Sequence, residues 1–310
     1  MTAGVLVLGG AMDAASLRTA VSEVGLLEAE EVPSACASDS VSILILRSGV
    51  RLGESELRRL PRLRHVVRCG SGTDHIDLEA LARRGIGLHR NASASAPAVA
   101  EWALAAALAL TRRMPLGHNA LLAGVHDKHA CMSVPLADMT IGIWGAGPVG
   151  LAVGRALAPH ASSVSYSWWP SNPLDVTELS AEALMERAAI HVVALPLRAS
   201  TREFIGLKFL RRTENIRPHV ICVGRVETLD LPACMAALAE GRLSGLAVDA
   251  IEREHVDELQ GITEPMNLLV SPHIGAQRSD VRAGLDSWAV ELVRRLVTDE
   301  QPAFPEGGTG

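Results

Sequence analysis

The stretch Thr140-Ile-Gly-Ile-Trp-Gly-Ala-Gly-Pro-Val-Gly150 decides the fold. It starts with a short apolar run that reads as a β-strand, passes through a GxGxxG turn at Gly145, Gly147 and Gly150, and leads into the helical run Leu151–Leu157. Glycine spacing alone is weak, but strand–turn–helix is the context that gives it a mechanism. Gly145 permits the tight turn, Gly147 lets the backbone approach a pyrophosphate, and Gly150 allows close helix–strand packing with the helix N-terminus facing the anion. A dinucleotide, NAD or NADP, is the ligand this implies. The next strand ends Val164-Ser-Tyr-Ser-Trp-Trp-Pro-Ser-Asn172, without the acid that normally binds the adenosine ribose about 20 residues on, and Trp168 stands in its place. Losing the carboxylate removes repulsion against a 2′-phosphate, yet no local arginine follows to bind that phosphate. Arg198, after Leu195-Pro196-Leu197, is either a substitute donor or a solvated arginine, and the choice of coenzyme stays open.

Outward from this turn, short apolar strands alternate with helical stretches. Val5–Leu8, Ile43–Leu46, His65–Arg68 and Gly87–His89 form a first group. Thr140–Trp144, Ser163–Tyr166, Ile190–Leu195, Val220–Val223, Leu246–Val248 and Leu268–Val270 form a second. Such alternation predicts an α/β fold with two doubly wound parallel sheets. Between the groups lie a buried helix, Pro97–Arg113, and an irregular stretch, Met114–Met139, that reads as an arm. A final amphipathic helix opens at Ser279–Asp286, reaches about Val297 and is expected to pack on the first domain.

Composition narrows the partners. The chain has 310 residues, 48% of them hydrophobic, and a net charge of −6. That is enough for two cored domains, and no basic cluster suits nucleic acid or a membrane surface. The opening run Val5–Leu8 is too short for a signal peptide, and Ala98–Leu110 falls short of the ~20 apolar residues needed to span a bilayer. The 5 cysteines are odd in number, widely spaced and never form CxxC, which fits a reducing cytoplasm rather than a disulfide frame or a zinc site. His118, His126 and His129 are irregularly spaced without partner ligands, so they read as arm surface and no metal is expected.

Three further features follow the glycine turn in order: Val220-Ile-Cys-Val-Gly-Arg225, Gly245-Leu-Ala-Val-Asp249 and Ser271-Pro-His-Ile-Gly275. Together with Arg68-Cys-Gly-Ser-Gly-Thr-Asp-His-Ile-Asp77 and Val99-Ala-Glu101, they resemble the D-isomer-specific 2-hydroxyacid dehydrogenases, the family that includes phosphoglycerate dehydrogenase and hydroxypyruvate–glyoxylate reductase. The resemblance runs from about His65 to Ala276. It implies a Rossmann NAD(P)-binding domain, residues 97–275, inserted into a flavodoxin-like substrate domain, residues 1–96 plus 276–310, with the cleft between them. It also implies an oxidoreductase moving a hydride between NAD(P)H and a small 2-keto or D-2-hydroxy acid, and a homodimer built through the 114–139 arm.

Carried over residue by residue, Arg225 would hold the substrate carboxylate and polarise the keto oxygen, because a guanidinium offers paired, permanently charged donors. His273 would be the general acid/base, a task suited to imidazole. Glu254, five residues after Asp249, would accept a hydrogen bond from the other ring nitrogen. Backbone amides at Ser71 and Gly72 would bind the substrate carboxylate. The cofactor would lie along Gly145, Ala146, Gly147, Pro148, Val149, Gly150, Trp168, Leu195, Pro196, Val223, Gly224 and Asp249, with Asp249 at the nicotinamide carboxamide.

The sequence departs from the family in places. Val226 replaces the glycine that normally follows the arginine, where a branched side chain would narrow the pocket; the Asn91–Pro97 loop is one residue short; and His255 replaces a proline. These departures leave two other readings: a non-catalytic NAD(P)-sensing protein on the same fold, and a dehydrogenase for a specialised acid.

Overall fold

The computed structural model describes residues 4–21, 25–33, 40–47, 49–167, 177–260, 262 and 264–300. The chain divides after Ala94 and after Arg278 into two compact units, the first made from both ends of the described chain and the second from Ser95–Arg278. The sequence placed these divisions after residues 96 and 275.

In the first unit, strands β1 (Gly4–Leu8), β2 (Gly25–Ala29), β3 (Val41–Leu46), β4 (His65–Arg68) and β5 (Gly87–Arg90) form a parallel sheet in the order β2-β1-β3-β4-β5. Side chains alternate across a strand, so each strand feeds two cores. Leu6, Leu8, Leu44, Leu46 and Val66 face one core, which helices α2 (Glu54–Arg58) and α3 (Leu78–Arg83) close with Leu57 and Leu81. Val5, Val7, Ile43, Ile45 and Val67 face the other core. There they meet Leu17 of α1 (Ala14–Ala20) and Ala289, Leu292, Val293 and Leu296 of the terminal helix, Ser279–Glu300. Asp13 caps α1, accepting from the Ala15 and Ser16 amides.

The second unit carries a six-stranded parallel sheet: β6 (Thr140–Trp144), β7 (Ser163–Ser167), β8 (Ile190–Val193), β9 (His219–Cys222), β10 (Gly245–Val248) and β11 (Leu268–Val270), in the order β11-β10-β9-β8-β6-β7. An isolated parallel bridge joins Glu178 to Tyr166 on the free edge of β7. It stands where a Rossmann sheet has its third strand, which completes the 3-2-1-4-5-6 type of order. Strands β8, β9 and β10 are buried at every position, as expected of parallel strands covered on both faces.

Helix α4 (Ala96–Thr111) supplies Ala100, Ala103, Ala106 and Ala107 to one core. These small side chains let it approach Val153 and Leu157 of α6 (Pro148–Leu157), the helix after the glycine turn. Trp144, Leu184, Phe209 and Cys234 build the opposite core. The 114–139 arm is more ordered than its composition suggests: it opens as helix α5 (Met114–Leu122) and ends in a 3-10 turn, Leu136–Asp138. Among the described residues no helix is long and apolar enough to cross a membrane, and no group of three or more His, Cys, Asp or Glu could hold a metal ion.

Candidate active site

The glycine turn is built from contacts too close for side chains. Gly145 has φ +98°, and a Cβ there would lie 3.0 Å from the Ala194 carbonyl oxygen. At Gly150 a Cβ would lie 1.9 Å from the Gly145 oxygen, so the first turn of α6 presses against the strand end. Gly147 differs, because nothing stands within 4 Å of its missing side chain. It caps α6 without a side-chain hydrogen bond, and Pro148 fills the first helical position, where an amide hydrogen would go unused. Open space, an uncapped helix start and the positive end of the helix dipole fit a pyrophosphate. Behind this turn, a Cβ on Gly224 would lie 2.5 Å from the Leu195 oxygen, and the Val223 and Gly224 amides donate to the Val193 carbonyl at 3.0 and 3.1 Å. The ends of β6, β8 and β9 therefore meet around the predicted residues Gly145, Leu195 and Gly224. Ala146 and Leu195 are buried, while Pro148 and Pro196 are exposed. Trp168 lies outside the described residues, and Arg198 is exposed.

The loop after β11 carries His273 in the left-handed region, φ +54°, where few non-glycine residues settle. Asp249, 2% exposed at the end of β10, holds it there. The His273 amide donates to the Asp249 carbonyl at 2.6 Å. The Ile274 amide reaches Asp249 Oδ1 at 2.9 Å, the Gly275 amide reaches Oδ2 at 2.8 Å, and Ser271 Oγ donates to Oδ1 at 2.7 Å. Gly275 is required, since a Cβ would stand 2.5 Å from Oδ2. The sequence set Asp249 against the nicotinamide; in the structure both of its carboxylate oxygens serve the histidine loop.

His273 Nδ1 lies 2.6 Å from Oε1 of Glu252. This corrects the expected partner: Glu254 sits exposed within the 3-10 turn Arg253–His255, while Glu252 precedes that turn on extended backbone. With Nδ1 paired to a carboxylate, Nε2 is left as the nitrogen that can face a substrate oxygen.

Arg225 follows β9 and is half-buried. Its carbonyl accepts from Thr228 Oγ1 at 2.6 Å and from Cys222 Sγ at 3.4 Å, and its Nη1 donates to the Gly224 carbonyl at 3.0 Å. Burial pushes the Cys222 thiol up to about 11, so it stays a protonated donor. The Asp249 amide donates to the Cys222 carbonyl at 3.0 Å, which links the strand end bearing Arg225 to the loop bearing His273. Val226 does not narrow a pocket as expected: it is 2% exposed and packed into the core with Trp144 and Leu195. The sequence reading missed Thr228, and also the Glu101–Arg278 ion pair that ties α4 to the chain just beyond the histidine loop.

In the first unit, the Ser71–Gly72 loop leaves the carboxyl end of β4. Arg90 Nη1 donates to the Ser71 carbonyl at 3.1 Å and Arg68 Nε to the Gly72 carbonyl at 3.0 Å.

These features define a class: a two-unit α/β chain whose second unit combines a Rossmann-type sheet and glycine turn with a His–Glu pair. Residues 104–275 match the family described as D-isomer specific 2-hydroxyacid dehydrogenase, NAD binding domain. The chain is 27% identical over 266 residues to a D-3-phosphoglycerate dehydrogenase of Methanocaldococcus jannaschii, across 83% of this chain and 50% of that protein. To a hydroxypyruvate reductase of Thermotoga maritima it is 27% identical over 262 residues, across 83% of this chain and 84% of the relative. A D-lactate dehydrogenase from Aquifex aeolicus, solved with NAD and lactic acid, shares the fold with a TM-score of 0.82 and 20% identity over 96% of each chain. The chain belongs to the D-isomer specific 2-hydroxyacid dehydrogenase family. It spans about half the length of the phosphoglycerate dehydrogenase that it matches.

Proposed function

We propose that the protein interconverts a small 2-keto acid and its D-2-hydroxy acid with NAD or NADP. The observation that carries this reading is the 2.6 Å His273–Glu252 pair, set in the same unit as an open glycine turn. Gly145, Gly147 and Gly150, with the start of α6, would hold the pyrophosphate. A dinucleotide bound there would supply hydride chemistry at the keto carbon, in either direction. Arg225 pairs with the substrate carboxylate and draws charge toward the keto oxygen. His273 gives its Nε2 proton to that oxygen as it becomes a hydroxyl, and in oxidation takes the proton back. Glu252 orients the ring through Nδ1–H, so the proton delivered comes from Nε2 alone. Ser71 and Gly72 contribute amides to the substrate carboxylate.

The test follows absorbance at 340 nm with NADH or NADPH and a panel of glyoxylate, hydroxypyruvate, pyruvate, phenylpyruvate and 2-ketoglutarate. Turnover with at least one acid is expected, and His273→Ala should lower it ~10²–10⁴-fold while leaving dinucleotide binding intact. Undiminished turnover in that variant removes His273 from the chemistry.

The pairing of two chains is also proposed. The arm leaves Met114, Leu121, Leu122, Val125, Met132 and Val134 exposed, a set of apolar side chains that a second copy would cover. Sedimentation should return a dimer, with Leu122→Asp shifting it to monomer; a monomeric wild type sinks this assignment. We also place the protein in a reducing cytoplasm, on the strength of 5 cysteines that are odd in number, widely spaced and never form CxxC.

A further inference from the structure

Arg68 and Arg90 end the neighbouring strands β4 and β5 and are direct partners in their register. Arg68 is 6% exposed. Two cations side by side, one of them buried, are unfavourable unless something nearby is organised around them. The loop Cys69–Thr73 is organised in part around them. Arg68 Nη1 donates to the Cys69 carbonyl at 2.9 Å and Nε to the Gly72 carbonyl at 3.0 Å, while Arg90 takes the Ser71 carbonyl at 3.1 Å. Gly70 makes room for this, because a Cβ there would lie 2.6 Å from Arg68 Nη1, and its φ of +148° suits glycine. In a trans peptide the carbonyl of one residue and the amide hydrogen of the next point in opposite directions. Fixing the Ser71 and Gly72 carbonyls toward the arginines therefore turns the Gly72 and Thr73 amides away from them. Among the described residues neither amide donates to any group of the chain. Two adjacent free amides backed by two guanidinium groups form a cradle for an anion.

We propose that Arg68 and Arg90 are positioning residues that aim the Gly72 and Thr73 amides, and add positive potential behind them, to seat the carboxylate of the 2-keto acid. The inference rests on the reaction proposed above and adds Thr73 as a donor, with the two arginines as the reason the loop has its shape. Neither arginine need touch the substrate.

The experiment titrates oxalate into the NADH-saturated protein by calorimetry and, in parallel, measures KM for the best keto acid. Arg68→Gln should weaken oxalate and raise KM ~10-fold, the scale of one charge-assisted hydrogen bond, with the NADH Kd changed less than about twofold. A merely structural role would move the NADH Kd and the oxalate affinity together. Arg68→Lys should restore only part of the loss, since one ammonium cannot reproduce the planar fork that spans the Cys69 and Gly72 carbonyls. Unchanged oxalate affinity and KM in Arg68→Gln, or an equal rise in the NADH Kd, overturns the proposal. Should Arg68→Gln fail to fold, exposed Arg90→Gln decides: a loss of ~3-fold in oxalate affinity supports the cradle and no change refutes it. A wild type that reduces none of the acids yet binds oxalate in an arginine-dependent way keeps the cradle and refutes the reaction. One that turns over with both arginines dispensable does the reverse.

Discussion

Glu252 and Glu254 are two positions apart, and spacing alone cannot say which of them reaches His273. What separates them is the turn between: Glu252 is the last extended residue, whereas Glu254 lies within the 3-10 turn that follows. Glu252→Gln, which keeps the shape and loses the charge, should lower kcat ~10–100-fold, the scale of impaired general acid–base catalysis. Glu254→Gln should change it less than about twofold on the same basis. Steady-state kinetics on the two variants checks this, and the opposite ranking would return the partner to Glu254. At this scale the sequence was legible for position: Arg225 and Asp249 lie just beyond β9 and β10, and His273 lies on the loop after β11, as read. It was illegible where backbone direction matters. That Asp249 gathers the Ile274 and Gly275 amides depends on the left-handed turn at His273, which no residue type announces when histidine, not glycine, adopts it.

Among the elements, the glycine turn was readable because its contacts admit so few residues. It also separates two roles that a motif merges. Gly150→Ala places a Cβ against the Gly145 backbone oxygen and should cost several kcal/mol or abolish folding. Gly147→Ala meets open space at φ −72°. It should leave Tm within a few degrees and weaken NADH ~10-fold or more, by blocking approach to the backbone. Calorimetric scans with NADH titrations distinguish the two, and equal NADH affinity in Gly147→Ala would place the dinucleotide elsewhere. A third close contact went unread: a Cβ on Gly154 would lie 1.7 Å from the Tyr166 hydroxyl, which packs against α6. Strand β2 was missed for a different reason. Gly25-Leu-Leu-Glu-Ala29 is a half-exposed edge strand with no β-branched residue, so neither alternation nor an apolar run marks it. Beyond β7, the described residues show one bridge, Tyr166–Glu178, too short for any pattern to mark.

For the molecule as a whole, two histidines inside sheet strands tie stability to pH. Burial holds His191 at about 3 and His219 at about 4, against an ordinary 6.5, and Trp144 Nε1 donates to the neutral His191 ring at 3.1 Å. Both folded values are depressed, so the unfolded chain takes up protons that the folded chain refuses. Stability should be level in these groups above about pH 6.5 and fall as pH drops from 6.5 toward 4. Melting followed across that range checks the slope. His191→Gln, which keeps an acceptor for Trp144, should flatten it in part, and an unaltered slope would assign the acid sensitivity to other groups.

The first unit is discontinuous, and this has a consequence during synthesis. Strands β1–β5 leave the ribosome early, but the helix Ser279–Glu300 that covers Val5, Val7, Ile43, Ile45 and Val67 emerges after everything else described. Residues 95–278 form one uninterrupted run and hold all they need to complete their own sheet while that helix is still unmade. Of the described elements, the strands made earliest are the last to be covered. Until the helix Ser279–Glu300 emerges, that face of the sheet is covered only in part, by Leu17 of α1, and its remaining apolar side chains are open to chaperones or to a neighbouring nascent chain.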